Sequence, residues 1–230
     1  GSASFAVNQY FRESNWFNAR YSVSGNYFHY APDAIYYRIN PMVIFRKRPS
    51  DFRDNKKQQF LARHVIVHRE KTEYVFDETD DNQNYSVFNL RFSQSDMEAT
   101  HTFNYKTDLQ LASNFGKVFF ETEYRKLFES NRQINLRFYA GTFLYNSTKD
   151  DYFSFALDRP TDYLFDYNYY GRSESSGLFS QQLIMSEGGF KSKLPTAFAN
   201  RWMMTTNASV NIWNWIEVYG DLGLIKSKGY

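Results

Sequence analysis

Apolar and polar residues alternate along much of the chain, most regularly between Lys117 and Asn146. In the first half of this stretch Val118 and Phe120 fall on one parity, while Glu121 and Glu123 fall on the other. In the second half, every second residue from 134 to 144 is apolar or small. Because side chains on a strand point alternately to its two faces, the pattern predicts an antiparallel hairpin with its turn at 129–131.

Similar alternation recurs elsewhere and predicts on the order of ten amphipathic strands, a number within the range of outer-membrane barrels. Pro41 falls inside one of them, which predicts a bulge or an edge position there. The two faces of 59–69 cannot be told apart by the pattern. The remaining candidate strands are residues 3–10, 17–24, 35–46, 59–69, 86–92, 103–111, 178–185, 201–212 and 216–224.

Residues 147–176 lack a sustained period, so we predict a long loop or plug segment with one short strand or helical turn. Its many Tyr and Phe residues need burial, which favours a segment folded back onto the sheet. The charged residues Asp158, Arg159, Asp162 and Arg172 are assigned to this plug. The acidic stretch 70–84 is predicted to be a solvated loop.

The composition fits a sheet that has one lipid-facing side. Aromatic residues make up 20% of the 230 residues, yet the mean hydropathy is −0.63. An apolar outer face and a polar lumen would average to such a value. No apolar run approaches the roughly 18 residues that a transmembrane helix needs, which excludes helical spans.

We therefore predict an all-β fold: an antiparallel transmembrane outer-membrane β-barrel of roughly 10–12 strands. It would form a single domain over residues 3–230, with Gly1 and Ser2 as a cloning remnant. The end of the chain, Lys226 to Tyr230, does not continue a lipid-facing pattern, so we expect the native chain to go on and the final strands to be missing.

The charge distribution excludes one large class of partner. The formal net charge is +2, and both signs are spread along the chain. Nucleic-acid binding needs a basic stripe, which is absent. Cysteine is also absent, which excludes disulfides and thiolate sites but leaves the compartment open.

Charged residues on one strand parity form the first candidate site. A carboxylate pair such as Glu121 and Glu123 could act in acid–base chemistry. The more common role of such a row is a salt-bridged network in a barrel lumen, and we favour that interpretation. The residues assigned to this lumen charge network are Glu121, Glu123, Arg125, Arg137, Glu217 and Asp221.

Aromatic residues at strand ends form the second candidate feature. Trp213 and Trp215 flank the predicted turn at Asn214. Indole rings favour the headgroup depth of a bilayer, so we assign Trp202, Trp213, Trp215, Tyr27 and Tyr30 to an aromatic girdle. The alternative is a capped hairpin of a soluble protein.

Catalytic and metal motifs are missing from the sequence. His64 and His68 would share a strand face about 13 Å apart, too far to bind one metal ion. No His-Glu-x-x-His, glycine-rich phosphate loop or Gly-x-Ser-x-Gly elbow occurs. We therefore expect no cofactor in this chain and leave open whether the parent protein is an enzyme.

Several long segments resemble the C-terminal region of large membrane-associated metallopeptidase-like proteins of Bacteroidota, whose N-terminal side is similar to gluzincin, aminopeptidase-N-like enzymes. The resemblance covers the chain from about Tyr21 onward and implies an upstream zinc peptidase domain. It transfers no catalytic or metal residue, because the zinc motif has no counterpart here. The segments are SGNYFHYAPDA, RKLFESNRQINLRFYAGTFLYN, FSFALDRPTDYLFDYNYYGRSE, SEGGFKSKLP and NIWNWIEVYGDLGL.

The first functional hypothesis is an integral domain of the bacterial outer membrane that anchors or positions a peptidase-like partner domain and has no chemistry of its own. Its partners would be outer-membrane lipid and other envelope proteins. A second hypothesis is a transport or assembly barrel of the outer-membrane insertion or two-partner secretion superfamily, which the short match at Tyr170-Gly171-Arg172 suggests. A third is a soluble carbohydrate-binding β-sandwich.

Overall fold

The chain folds into β-strands, as a computed structural model shows. The structure describes residues 2–11, 17–31, 34–49, 51, 53–69, 84–129, 132–149, 151–159, 161–166, 185–213 and 216–228. Twelve strands and no α-helix occur within these residues, which confirms the all-β prediction. The strands are β1 (Ser2–Phe11), β2 (Phe17–Ala31), β3 (Ala34–Lys47), β4 (Lys56–Arg69), β5 (Asn84–Met97), β6 (His101–Leu111), β7 (Phe115–Leu127), β8 (Gln133–Asn146), β9 (Phe155–Ala156), β10 (Phe198–Ala199), β11 (Trp202–Trp213) and β12 (Ile216–Lys226).

Ten of these strands form one antiparallel sheet in the order β1-β2-β3-β4-β5-β6-β7-β8-β11-β12. Sequence neighbours pair throughout, except that β8 pairs with β11 because the chain between them leaves the sheet. In the part of the chain that the structure describes, β1 and β12 each have one neighbour and do not pair with each other. The antiparallel ten-stranded sheet is thus confirmed, but the predicted closure into a barrel is not present among the described strands.

The pairing register aligns the predicted apolar parities across the sheet. Phe120 lies opposite Ala140, which lies opposite Met204, which lies opposite Leu224. We call the face that carries this row the outer face. The opposite, inner face carries Lys117, Glu121 and Arg137. We call residues 147–201 the insertion, and its described residues cover this face.

Two strand predictions are resolved by the structure. In β4 the alternate residues Leu61, Arg63, Val65 and Val67 are buried on the inner face, so both faces of this strand carry apolar residues. Pro41 was predicted at a bulge or an edge, and this is wrong. It lies inside the sheet between β2 and β4, where the β3–β4 pairs pass from Ile39–Ile66 to Met42–Arg63 without a change of register.

Antiparallel order places the connections alternately at two edges of the sheet. The strands β2, β4, β6, β8 and β12 end at the upper edge, and β1, β3, β5, β7 and β11 end at the lower edge. Of the predicted acidic loop 70–84, residues 70–83 lie outside the described residues and Asn84 is the first residue of β5. Ser2, which we assigned to a cloning remnant, pairs with Phe28 as the first residue of β1.

The insertion packs on the inner face through two apolar clusters. One contains Phe153, Tyr163 and Leu164 against Val65 and Val87. The other is formed by Phe119, Tyr139, Phe155, Leu157, Ala199 and Met203. Within the insertion, β9 pairs with β10, and Phe190 N–H donates to the carbonyl of Leu157.

None of the residues that the structure describes forms a helix with the length and apolar character that a membrane crossing requires.

Candidate functional site

Asp166 joins the insertion to two strands of the sheet. Its carboxylate accepts hydrogen bonds from both terminal nitrogens of Arg63, at 2.7 and 2.6 Å, and from Nη2 of Arg38 at 2.8 Å. The other terminal nitrogen of Arg38 donates to the carbonyl of Phe165 at 3.0 Å. Phe165 has a φ of 51°, a left-handed conformation that is uncommon for a non-glycine residue. Both guanidinium groups are buried, so the carboxylate supplies the negative charge that such burial requires.

The pKa of Asp166 is held below its ordinary value. Burial acts in the opposite direction and would raise it, because it disfavours the charged form. The hydrogen bonds and the charge of Arg63, together with the charge of Arg38, outweigh that effect. Asp166 therefore stays ionised through the range in which an exposed aspartate begins to protonate.

Asp108 organises a second group on β5 and β6. Its buried carboxylate accepts hydrogen bonds from Asn89 Nδ2 at 2.7 Å, Arg91 Nε at 2.5 Å and Gln110 Nε2 at 2.9 Å. The side-chain oxygen of Gln110 accepts the hydroxyl of Tyr163, which connects this group to the insertion. Burial, with Glu187 and Asp108 nearby, raises the pKa of Tyr163 well above its ordinary value, so its hydroxyl remains a donor.

Lys117 lies at the centre of the contact between β7 and the insertion. Its side chain is 0% exposed. The ammonium donates to the carbonyl of Phe153 at 3.1 Å and lies 3.5 Å from a carboxylate oxygen of Glu187. It also lies 4.6 Å from the ring centroid of Tyr163 and 4.7 Å from that of Phe155, within cation–π range. One cation thus connects two separate segments of the insertion to the sheet, residues 153–163 and Glu187.

The structure brings together four of the six residues assigned to the lumen charge network. Arg137 Nε donates to Glu121 Oε1 at 2.8 Å and lies 4.0 Å from Glu123, and Lys106 contacts Glu121 Oε2. Asn207 connects Arg137 to Asp221 by hydrogen bonds of 3.0 and 2.9 Å. Arg125 and Glu217 are exposed and do not join this group among the described contacts.

These contacts favour the structural interpretation of the Glu121–Glu123 pair over acid–base chemistry. Each oxygen of Glu121 is engaged by a different cation. The guanidinium of Arg137 is fully used as well, since its third nitrogen donates to the carbonyl of Glu187 at 2.8 Å. Two cations stabilise the charged form of this carboxylate, which makes it a weaker proton acceptor.

The residues assigned to the plug are distributed within the insertion. Asp158 accepts hydrogen bonds from Arg159 Nε at 2.9 Å and from the backbone N–H of Leu194 at 2.7 Å. Burial acts to raise the pKa of Asp158, but the two hydrogen bonds outweigh it and hold that pKa below its ordinary value. Asp162 accepts the backbone N–H of Asp166 at 2.7 Å. Arg172 lies outside the described residues.

Three of the residues assigned to an aromatic girdle are described in full, and they lie toward both edges of the sheet. Tyr27 contacts Tyr37 on the outer face near the upper edge, with ring centroids 5.3 Å apart, and Trp202 begins β11 at the same edge. Trp213 ends β11 at the lower edge and is exposed. Trp215 and the side chain of Tyr30 lie outside what the structure describes.

Two cavities lie on the inner face beside this network. The smaller, about 210 Å³, lies between the sheet and the insertion, is partly open, and is lined by Lys106, Glu121 and Tyr139. The larger, about 510 Å³, lies toward the lower edge and is lined by Asn104, Asn135, Asn207, Ser209, Tyr219 and Asp221. Arg137 lines both cavities.

The two close histidines lie on the outer face rather than in this site. Both His64 and His68 are exposed, and His68 contacts the side-chain oxygen of Asn84. Among the described residues, no group of three or more His, Cys, Asp or Glu side chains could hold a metal ion.

Sequence reasoning missed the residues that attach the insertion, chiefly Asp108, Lys117, Asp166 and Glu187. One signal was available for Lys117, because it continues the inner-face parity of Glu121 and Glu123. For Asp166 and Glu187 no local pattern existed, since their partners are far away along the chain. Asp166 and Arg38 are 128 residues apart.

Comparison with protein-family models found no match for the chain, and comparison with curated proteins found none either.

Proposed function

We propose that the chain is the membrane-spanning β-domain of a bacterial outer-membrane protein and that it anchors a peptidase-like partner domain at that membrane. The observation that carries the proposal is the distribution of polarity between the two faces of the sheet. In the part of the chain that the structure describes, the outer face is uncovered and mostly apolar, with His64 and His68 among its polar residues, while charged side chains are buried beneath the insertion on the inner face. A protein folded in water normally has the opposite arrangement.

Exposure values of individual residues make the contrast plain. On the outer face, Leu222 is 76% exposed and Leu224 is 65% exposed. On the inner face, Lys117 and Asp108 are both 0% exposed. Scattered exposed apolar residues are ordinary, but a contiguous apolar patch of more than a few hundred Å² marks an interaction surface. Rows such as Phe120, Met204 and Leu224 cross several strands, and hydrocarbon lipid is the partner that fits such a surface.

The strand lengths fit a membrane crossing as well. A tilted strand needs about 9–11 residues to span the hydrocarbon core. The central strands β7 and β8 contain 13 and 14 residues, and the shortest strand of the sheet, β1, contains 10. Every strand of the sheet is therefore long enough to cross.

The filled inner face favours an anchor over a conduit. The insertion occupies it with buried aromatic rings and ion pairs, so an open channel would require these contacts to break. Transport or assembly is the second candidate function, and it would need the insertion to move aside. Steady ion conductance of the purified protein in a planar bilayer would favour transport, and silence would favour the anchor.

The peptidase-like partner rests on the resemblance of long segments alone. Its test is the full-length gene. An upstream region that encodes a gluzincin zinc motif supports this part of the proposal, and tandem periplasmic repeats in its place would overturn it. The carbohydrate-binding alternative is less well supported, since a sandwich requires two packed sheets. The described strands form one ten-stranded sheet and one pair of two-residue strands, β9 and β10.

The membrane assignment is tested by placing a charge on the outer face. Leu222→Arg near the middle of β12 should destabilise the protein in a bilayer by about 2–4 kcal/mol, the cost of arginine at lipid depth. In a soluble protein the same change at a residue 76% exposed would have almost no effect. Stability would be measured by denaturant titration in vesicles and by heat-modifiable mobility on detergent gels.

Glu217→Arg provides the matched control, because Glu217 is exposed on the same strand but belongs to the inner-face parity. We expect it to change stability by less than about 0.5 kcal/mol. Equal effects of the two substitutions, or full solubility of the wild type without detergent, would refute the membrane assignment.

A further inference from the structure

Three arginines meet on the inner face at the lower edge, where β1 and β3 end and β2 begins. A further cavity of about 570 Å³ lies there, and Arg20, Arg46 and Arg48 line it. Its other lining residues are apolar, aromatic or amide side chains, and no carboxylate is among the described residues that line it. We call this site the arginine corner.

The pairing register places these arginines close to one another. Asn18 lies opposite Arg46 and Arg20 lies opposite Ile44, so Arg20 and Arg46 occupy diagonal positions on β2 and β3. Such positions are about 7–8 Å apart, which long side chains can span. Arg48 follows the last residue of β3, and its Nε donates to Asn18 Oδ1 at 2.8 Å. Three charges of the same sign therefore meet around Asn18.

The protein gives these arginines neutral partners only. Arg46 Nε donates to Gln59 Oε1 at 2.9 Å, and the guanidinium of Arg20 lies 6.0 Å from the ring centroid of Tyr10. No carboxylate of the described residues forms an ion pair with any of the three. The other inner-face cations are treated differently, since six of them have a carboxylate oxygen within 3.5 Å. These are Arg38, Arg63, Arg91, Lys106, Lys117 and Arg137.

One donor of the arginine corner is also left without a hydrogen bond. Arg20 Nε is buried and has no partner among the described residues. Buried donors of charged groups are normally paired, so this N–H lacks an acceptor oxygen. The described part of the insertion does not line the cavity, so the carboxylates of the insertion do not supply that oxygen. The missing partner therefore has to bring both acceptor oxygens and negative charge.

We propose that the arginine corner binds a phosphate group through Arg20, Arg46 and Arg48. Guanidinium groups match phosphate oxygens in paired hydrogen bonds, and a phosphate offers oxygens to donors that arrive from two strands and from the residue after β3. If the sheet spans a bilayer, the lower edge lies at headgroup depth, so the phosphate belongs either to a lipid headgroup or to a soluble solute. The positive charge of the site does not depend on what covers the outer face. Failure of this proposal would therefore leave the membrane assignment and its Leu222→Arg test untouched.

The experiment is calorimetric titration of the purified full chain in a phosphate-free nonionic detergent, with chloride holding the ionic strength constant. A soluble arm compares inorganic phosphate and glycerol phosphate with glycerol. A lipid arm compares micelles doped with phosphatidic acid with micelles doped with diacylglycerol. We expect a phosphate compound to bind in at least one arm and its phosphate-free counterpart not to bind. Binding in the soluble arm identifies a solute site, whereas binding of phosphatidic acid alone identifies a lipid site.

Arg20→Gln should weaken that binding about tenfold or more, because a charge-assisted hydrogen bond is lost. Without ligand, its unfolding temperature should be unchanged or higher, since Arg20 Nε has no partner in the described protein and repulsion from the other two arginines is relieved. Arg48→Gln should weaken binding similarly. It lies after β3, where a substitution disturbs folding least, so it keeps the test open if Arg20→Gln does not fold.

Lys47→Gln is the matched control, because it removes the same charge from an exposed residue next to Arg46 that points to the outer face. Its affinity should stay within about twofold of the wild type. Four outcomes overturn the proposal: no phosphate compound binds in either arm, the phosphate-free counterparts bind as tightly, the arginine variants keep the wild-type affinity, or Lys47→Gln weakens binding as much as they do.

Discussion

At the residue scale, the attachment of the insertion depends on a few carboxylates placed against buried cations. Asp166 is the clearest case, because it is shared by Arg38 and Arg63 on neighbouring strands. A buried ion pair is weak evidence of net stability, but removing one partner leaves an uncompensated charge in a dry environment. Asp166 leaves two.

Asp166→Asn should therefore destabilise the protein by about 3–5 kcal/mol. The amide cannot neutralise either guanidinium, and one of its two oxygen acceptors is lost. Chemical denaturation in detergent would measure the change. Asp96→Asn is the control, because its 3.9 Å contact with the exposed Lys56 is a surface pair worth about 0–1 kcal/mol. Similar losses for both variants would contradict this account.

The lowered pKa of Asp166 also predicts how stability depends on pH. A carboxyl whose pKa is lower in the folded state contributes its stability above the unfolded pKa, near 3.9, and loses it as the pH falls through the folded value. We expect the wild type to keep this contribution at pH 5–7 and to lose it only below about pH 4. Unfolding temperatures of wild type and Asp166→Asn should converge in that acid range, and a constant difference down to pH 2 would exclude the mechanism.

Sequence reasoning identified those charged residues whose partners are on neighbouring strands at the same parity. Glu121 and Arg137 were found because the hairpin places them in adjacent rows. Asp166 was not found, since Arg63 is 103 residues away and only tertiary folding brings them together. The limit is physical, because a strand pattern determines which face a side chain occupies but not what packs over that face.

At the element scale, the alternation was readable wherever one face is apolar and the other polar. β7, β8 and β11 satisfy this condition, and their predicted faces agree with the observed register. β4 does not, because its inner residues Val65 and Val67 pack against the aromatic cluster of the insertion. The strand is apolar on both sides, which removes the signal that periodicity provides.

The insertion had no readable period because its strand pairing is limited to the two-residue strands β9 and β10, and single side chains hold it to the sheet. Phe155 shows this well. It is fully buried, lies 5.0 Å from the ring of Phe143 and 6.1 Å from that of Tyr139, and packs over Gly141. A Cβ atom on Gly141 would come within 2.8 Å of this ring, so the glycine provides the space that the insertion occupies.

Phe155→Ala should accordingly destabilise the insertion by about 3–5 kcal/mol through lost burial and the cavity left behind. Limited proteolysis of the folded protein in detergent should then cut the insertion faster than in the wild type. Phe128→Ala is the control, because Phe128 is 44% exposed at the lower edge. Equal protection of the wild type and Phe155→Ala would show that this ring does not hold the insertion in place.

At the scale of the whole molecule, the sheet remains continuous across the insertion. β8 ends at Asn146 and β11 begins at Trp202, yet the two strands pair from Trp202–Thr142 to Val210–Ile134. Sequence reasoning predicted both strands but could not establish that they are neighbours. Adjacency over so long a separation depends on where the insertion folds, and no local pattern encodes that.

Since the chain contains no cysteine, this adjacency can be tested with introduced pairs. Ala140→Cys with Met204→Cys should form a disulfide under mild oxidation, because directly opposite residues place their Cβ atoms about 4.5–5.5 Å apart. The product would appear as a mobility shift on non-reducing gels. Ala140→Cys with Leu136→Cys should not react, because these positions lie about 13 Å apart along one strand. Absence of the first crosslink in folded protein would mean that β8 and β11 are not neighbours.

The strict up-and-down order of the strands means that one sidedness measurement orients the whole domain. If the sheet spans a bilayer, the end of β4 at Arg69 and the end of β7 at Leu127 face different compartments, because they belong to opposite edges. An epitope tag inserted after β4 and detected on intact cells would show that the upper edge, where the insertion begins, faces outward. The larger inner cavity, which lies toward the lower edge, would then face the opposite compartment.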